Sequence, residues 1–191
     1  MNIGILAVQG AFREHKQAFE DLGTKVTEVR LANQLENLDA LVIPGGESST
    51  MAKLMKNYGL DIAIQEFYKS GAAIWGTCAG AIAVAKEIAD YPEQAKLSLI
   101  DMTVERNSYG RQIASFETDI KIEGFKKEFH AIFIRAPRIV QLSKDVKVLA
   151  SYKSDPIMVV QNKVMATVFH PELTQDRRIH EYFIENLVKN K

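Results

Sequence analysis

The stretch Ala72-Ala73-Ile74-Trp75-Gly76-Thr77-Cys78-Ala79-Gly80-Ala81-Ile82 constrains the fold more than any other part of the chain. A short apolar run ends in Gly-x-Cys-x-Gly, and a helix-favouring Ala/Ile/Val segment follows at once. This is the layout of a nucleophile elbow, a sharp turn between a strand and a helix, with cysteine in place of serine. Gly76 and Gly80 carry no Cβ, so strand and helix can approach closely enough to make the turn. Cys78 is then placed at a helix N-terminus, where the partial positive charge favours a thiolate. It is the only cysteine, which excludes a disulfide within the chain. The competing reading is a buried structural cysteine; the glycine bracketing and the strand-to-helix context favour the nucleophile.

The segments before the elbow alternate between strand and helix. Asn2 to Val8 reads as a buried strand, and Ala11 to Leu22 as a helix with Phe12, His15, Phe19 and Leu22 at helical spacing. Lys25 to Arg30 is a second strand, Leu35 and Leu38 suit a single helical turn, and Leu41-Val42-Ile43 is a third strand stopped by Pro44-Gly45-Gly46. Ser49 to Tyr58 and Leu60 to Ser70 form two helices parted at Gly59. This order predicts an α/β fold with a parallel sheet and helices on both faces. The second half changes character: Met102 to Arg106, Phe116 to Ile122, His130 to Ile134, Val146 to Tyr152, Ile157 to Gln161 and Val164 to Phe169 read as short strands. Asp176 to Val188 is a closing helix. No linker or repeat divides the 191 residues, so residues 1–191 are expected to form one domain with a mainly parallel sheet and antiparallel additions.

Charge narrows the function classes. Lys+Arg and Asp+Glu both number 24, so nothing points to nucleic acid or an anionic membrane. No apolar run is long enough to span a bilayer, and the N-terminus lacks the basic region of a signal peptide. With one cysteine, a reducing cytoplasm is the expected location.

A cysteine nucleophile needs a base, and His170 is the outlier among the four histidines. It ends an apolar strand and is followed by Pro171-Glu172. Pro171 biases His170 towards extended geometry, in which side chains at i and i+2 point the same way. Glu172 would then reach one imidazole nitrogen while the other faces Cys78, giving nucleophile, base and orienting acid. His15 reads as structural or facing a partner. The loop Pro44-Gly45-Gly46-Glu47-Ser48-Ser49-Thr50 follows a strand, so it lies at the carboxyl edge of the sheet, where ligands bind. Its glycines can turn backbone N–H groups inward as an oxyanion hole at Gly46, with Ala79 N–H as a second donor; otherwise it is a turn before a helix capped by Ser48 or Ser49. Arg106 or Arg135 could hold a carboxylate, or either could form a surface ion pair.

Together Gly76-Thr77-Cys78-Ala79-Gly80 and His170-Pro171-Glu172 resemble the class I (triad) glutamine amidotransferases. Within that class, five blocks resemble the glutaminase subunits of pyridoxal 5′-phosphate synthases: Gln9 to His15, Pro44 to Thr50, Val104 to Gln112, Phe133 to Pro137 and Phe169 to Thr174. Ser98, where those relatives often carry glycine, is a small departure outside the site. The resemblance implies a three-layer, flavodoxin-like α/β/α fold and hydrolysis of L-glutamine to glutamate and ammonia through a γ-glutamyl thioester. It implies a glutamine pocket lined by Gly46, Glu47, Ser48, Arg106, Ile134 and Arg135. The implied partner is a (β/α)8-barrel synthase subunit in a large hetero-oligomer, docked near Gln9, Gly10, Arg13, Glu14 and His15. No metal and no organic cofactor are expected; pyridoxal phosphate would be the complex's product. Two other readings remain: a different cysteine hydrolase, such as another amidotransferase subunit or a PfpI-type protein, and a non-catalytic module on the same fold.

Overall fold

The computed structural model describes residues 1–106 and 115–190. Its first half is β1 (Asn2–Leu6), α1 (Phe12–Asp21), β2 (Lys25–Val29), a 3-10 turn (Ala32–Leu35), β3 (Ala40–Ile43), α2 (Ser48–Asn57), α3 (Leu60–Lys69), β4 (Ala73–Thr77) and α4 (Ala79–Val84). The second half runs β5 (Ala85–Ile88), β6 (Ile100–Glu105), β7 (Ser115–Ile120), β8 (Phe129–Ile134), β9 (Arg138–Leu142), β10 (Lys147–Tyr152), β11 (Asp155–Gln161) and β12 (Val164–Thr167). A 3-10 turn (Pro171–Leu173), α5 (Arg178–Phe183) and a π-helical turn (Ile184–Val188) complete it.

The central sheet has the order β10-β11-β12-β4-β3-β1-β2. The pairs β12–β4, β4–β3, β3–β1 and β1–β2 are parallel, and β11 pairs antiparallel with both β10 and β12. Strand order therefore reverses between β1 and β3, and the loops after β1, β3, β4 and β12 all emerge at one carboxyl edge. In doubly wound sheets that edge carries the ligand. The antiparallel additions also include the β7–β8 pair and a three-stranded sheet, β5-β6-β9.

The alternation within β4 decides what lies on each face of the sheet. Trp75 meets Phe19 of α1, Phe183 and His180 of α5 on one side, its ring centroid 4.9 Å from that of His180. Thr77, two residues on, shares that face. Gly76 lies on the other, against α4. One continuous apolar core surrounds these strands, with Ile3, Ile5, Leu41, Ile43, Ile74, Trp75, Met165 and Phe169 all fully buried.

Two strands differ from the sequence expectation. The helical segment after the elbow stops at Val84, because Ala85–Ile88 pairs in parallel with β6. Leu97 N–H and Leu99 N–H bind the carbonyls of Ala83 and Val84, each at 2.8 Å, and so direct the chain out of the helix. Arg138–Leu142 pairs antiparallel with β6 and buries only Ile139, so its own residues carry almost no strand alternation. Ser98 has φ 55, the left-handed conformation glycine adopts most cheaply. Residues 107–112 of the Val104 to Gln112 block lie outside the described residues. No helix among the described residues is long and apolar enough to cross a membrane.

Candidate active site

Cys78 caps the N-terminus of α4 with φ 50 and ψ −104, a strained conformation for a residue with a side chain. Tertiary contacts hold it there. Its N–H donates to Thr167 C=O at the end of β12 (2.8 Å), and its carbonyl accepts from Ile82 N–H (3.3 Å). The glycines on either side are steric requirements: a Cβ on Gly76 would lie 2.3 Å from the Gly80 carbonyl oxygen, and one on Gly80 would lie 1.9 Å from that of Ile43.

His170 follows β12, its N–H bonded to Ile132 C=O of β8 at 2.8 Å. Its Nδ1 lies 2.7 Å from Glu172 Oε1. The expected pairing forms by a different route from the one the sequence suggested. His170 has φ −109 and ψ 82, and Pro171 opens a 3-10 turn instead of continuing an extended chain. That turn brings the i+2 carboxylate back to the imidazole. Burial opposes charge on His170, but hydrogen bonds to Cys78 and Glu172, with the charges behind them, outweigh it and push the imidazole up to about 10. Burial also works against the Glu172 carboxylate; His15 and the bond and charge of His170 overcome it, so the carboxyl stays below its usual range.

Cys78 and His170, with Glu172 buried behind them, open onto a cleft of about 360 Å³ lined by Gln9, Gly46, Glu47, Ser48, Cys78, Ala79, Ile82, Arg106, Ile134, Arg135 and His170. Cys78 Sγ lies 3.8 Å from the Ile134 carbonyl oxygen. Arg135 is exposed at φ 44. The Glu47 side chain is already engaged: it caps α2, accepting from Ser49 N–H (3.0 Å) and Thr50 N–H (2.6 Å), in the place expected for Ser48 or Ser49. Bonds from Thr50 and Ser49 lower its carboxyl to about 2, while its N–H donates to Gln9 Oε1 at 3.0 Å and its C=O accepts from Met51 N–H at 3.0 Å.

Arg106 is held from several sides. One guanidinium nitrogen donates to Ser49 Oγ at 2.8 Å and to Gln94 Oε1, and the group stacks on the Tyr91 ring at 4.6 Å. Gln94, itself buried, is a residue that sequence reasoning missed. It stands in an irregular segment with no periodicity to mark it.

The chain matches the model of the SNO glutamine amidotransferase family over residues 5–189. It belongs to that family. A pyridoxal 5′-phosphate synthase subunit PdxT of Thermosipho africanus is 50% identical over 189 residues, covering 99% of this chain and 100% of that protein. A counterpart from Thermus thermophilus is 51% identical over 184 residues, 96% of each chain. A solved structure described as a glutamine amidotransferase superposes with a TM-score of 0.92 at 50% identity, covering 96% of this chain and 97% of that one. PurLQS from Thermotoga maritima, with a TM-score of 0.69 at 18% identity, shares the fold.

The surface expected to meet a partner is only partly available in this family member. Gly10, Arg13 and Glu14 are exposed and Gln9 is half-buried, but His15 is wholly buried. It points to the sheet, with Nε2 3.2 Å from Thr77 Oγ1 and Nδ1 3.0 Å from His180 Nε2. Helical periodicity explains this: His15 shares a face with Ala18 and Phe19, which are also buried. The expectation that His15 faces a partner is therefore withdrawn.

Proposed function

We propose that this chain hydrolyses L-glutamine to L-glutamate and ammonia, as the glutaminase subunit of a pyridoxal 5′-phosphate synthase. The observation that carries this reading is His170 set between Cys78 and Glu172 at the floor of a cleft whose rim holds Arg106. The names of the half-identical relatives support the assignment to that synthase.

In this reading the Cys78 thiolate attacks the side-chain amide carbon of glutamine. The developing oxyanion is met by Ala79 N–H, free at the first turn of α4, and by Gly46 N–H. Gly45 C=O accepts from Ala11 N–H at 3.0 Å, and because a trans peptide directs its C=O and N–H oppositely, Gly46 N–H points away from Ala11. His170, held as imidazolium, protonates the departing ammonia and leaves a γ-glutamyl thioester. Acylation removes the charge on sulfur, one of the causes that raise His170. The imidazole then becomes the base that activates water and releases glutamate. Arg106, fixed by Ser49, Gln94 and Tyr91, holds the α-carboxylate of glutamine, with Arg135 beside it at the mouth. Gly46, Glu47, Ser48 and Ile134 complete the lining of the pocket.

Ammonia then passes to a (β/α)8-barrel synthase subunit in a large cytoplasmic hetero-oligomer, docked against Gln9, Gly10, Arg13 and Glu14. The test is glutamate release by the chain mixed with a stoichiometric synthase subunit, alongside trapping of Cys78 by a glutamine-derived electrophile. A mixture that released no glutamate and left Cys78 unlabelled would overturn the assignment.

A further inference from the structure

Behind Glu172 lies a buried polar chain that takes no part in the chemistry above. His15 of α1 and His180 of α5 are both fully buried. His15 Nε2 lies 3.4 Å from Glu172 Oε2 and 3.2 Å from Thr77 Oγ1, while Nδ1 lies 3.0 Å from His180 Nε2. Glu172 Oε2 and His180 Nδ1 are buried without a hydrogen bond of ordinary geometry among the described residues. Burial keeps both rings neutral: it draws His15 to about 3 against the pull of Glu172, and draws His180 to about 3 with help from Arg177.

Two neutral rings in contact can share their protons in two ways. In one, His15 Nδ1–H donates to His180 Nε2. His180 Nδ1–H is then a buried donor without an acceptor among the described residues, and the lone pair of His15 Nε2, which the Thr77 hydroxyl can meet at 3.2 Å, also faces a carboxylate oxygen at 3.4 Å. In the other, His180 Nε2–H donates to His15 Nδ1, and His15 Nε2–H faces Thr77 and Glu172. Of the four ring nitrogens, the one then left unpaired is an acceptor, His180 Nδ1. Orphaned buried N–H groups are rarer than under-satisfied acceptors, and an N–H towards a carboxylate is attractive where a lone pair is repulsive. The second arrangement is therefore favoured on both counts.

We propose that His15 is a positioning residue: its Nε2–H, fixed in that tautomer by His180, orients Glu172 Oε2 so that Oε1 is presented to His170. This rests on the glutaminase reading for its kinetic consequences, though not for the tautomer. The titratable groups that bear on Glu172 are His15 from α1 and His170 from its own turn. Cys78 stands beyond His170, and His180, with Arg177 near it, stands beyond His15. Without the N–H dipole of His15, 3.4 Å from Oε2, nothing favourable faces that oxygen in a dry site and the carboxylate is harder to keep ionised, so the acid limb of activity moves to higher pH.

Two amide substitutions separate positioning from packing. The amide nitrogen of His15→Gln falls near Nε2 and can still serve Glu172; that of His15→Asn reaches only as far as Nδ1. With the synthase subunit present, His15→Asn is expected to lose about 10-fold in kcat, the lower end of the scale for a polar group facing a buried charge. Its KM should stay within about twofold, and its acid limb should move upward; His15→Gln should stay within about threefold of the wild type in kcat. Equal kcat values for the two variants, or a better Asn than Gln, would overturn the proposal. Ring ¹⁵N NMR of the wild-type chain is the second measurement, and it needs no turnover. A proton on His15 Nε2 is expected, and one on Nδ1 overturns the inference. Failure of the wild type to release glutamate would sink the glutaminase reading alone, leaving the NMR result to judge this one.

Discussion

At the floor of the cleft Cys78 and His170, and behind them Glu172, are 6%, 7% and 4% exposed, and each is tied to a strand end or turned back by a short helix. At the rim, Gly46, Glu47, Ile134 and Arg135 are exposed and stand on loops or at a strand end, one of them at positive φ. The floor is held by backbone bonds to neighbouring strands, which sustain even the strained φ of Cys78. The rim is held by side-chain bonds: Gln9 Oε1 to Glu47 N–H at 3.0 Å, and Ser49 and Gln94 to Arg106. Reactive groups are thus prepared in advance, while the groups that bind glutamine and complete the oxyanion site can shift with little loss of stability.

The largest expected effect breaks the floor. Cys78→Ala should abolish glutamate release, since no second thiol exists, and His170→Asn should cost nearly as much because such residues act as a unit. Glu172→Gln should retain roughly 10- to 100-fold more activity than either, because an orienting acid is less critical than the pair it orients. Steady-state rates of the three variants test this; a Glu172→Gln enzyme as inert as Cys78→Ala would show that the carboxylate does more than orient.

The next effect concerns the rim as a switch. The Gly45–Gly46 peptide is anchored through Ala11 and the Gly46–Glu47 peptide after it through Gln9, both on the turn proposed to meet the synthase. A partner that stabilises one loop conformation should raise glutaminase initial rates by about 10²- to 10³-fold, the worth of one oxyanion donor. Equal rates with and without the partner would mean that the rim is as rigid as the floor. Arg106→Ala should be milder still, raising KM by about 10- to 100-fold with kcat nearly unchanged, because it removes a charged bond made equally in ground and transition states. A fall in kcat alone would move Arg106 from binding to chemistry.

The smallest effect is on stability. His15 and His180 stay neutral in the folded chain down to about 3, whereas an unfolded histidine takes up a proton near 6.5. Their folded pKa values are lowered, so stability is present above about pH 6.5 and is lost as pH falls below it. Each contributes a slope of about 1.4 kcal/mol per pH unit in that window. Thermal unfolding between about pH 7 and 5 should show a shallower acid slope in His15→Gln than in the wild type. Identical slopes would place a charge on His15 in the folded state.

How much of this was legible depended on how local the determining forces are. Gly76-Thr77-Cys78-Ala79-Gly80 specifies its own turn, because backbone sterics within five residues leave the chain few alternatives. His170-Pro171-Glu172 places a carboxylate beside an imidazole through a single turn of chain, even though that turn is 3-10 and not extended. The first three strands and α1 to α3 are likewise readable from their own apolar periodicity. What only the tertiary structure decided involves partners far away in sequence. The strands β5 and β9 exist because β6 offers edges on both sides. Glu47 became a helix cap because the loop directs its carboxylate at two free N–H groups. Gln94 clamps Arg106 across a loop that has no pattern of its own. His15 carried the same helical spacing whether it faced solvent or the sheet. Its burial was settled by Thr77 and His180, which the chain brings to it from 62 and 165 residues away.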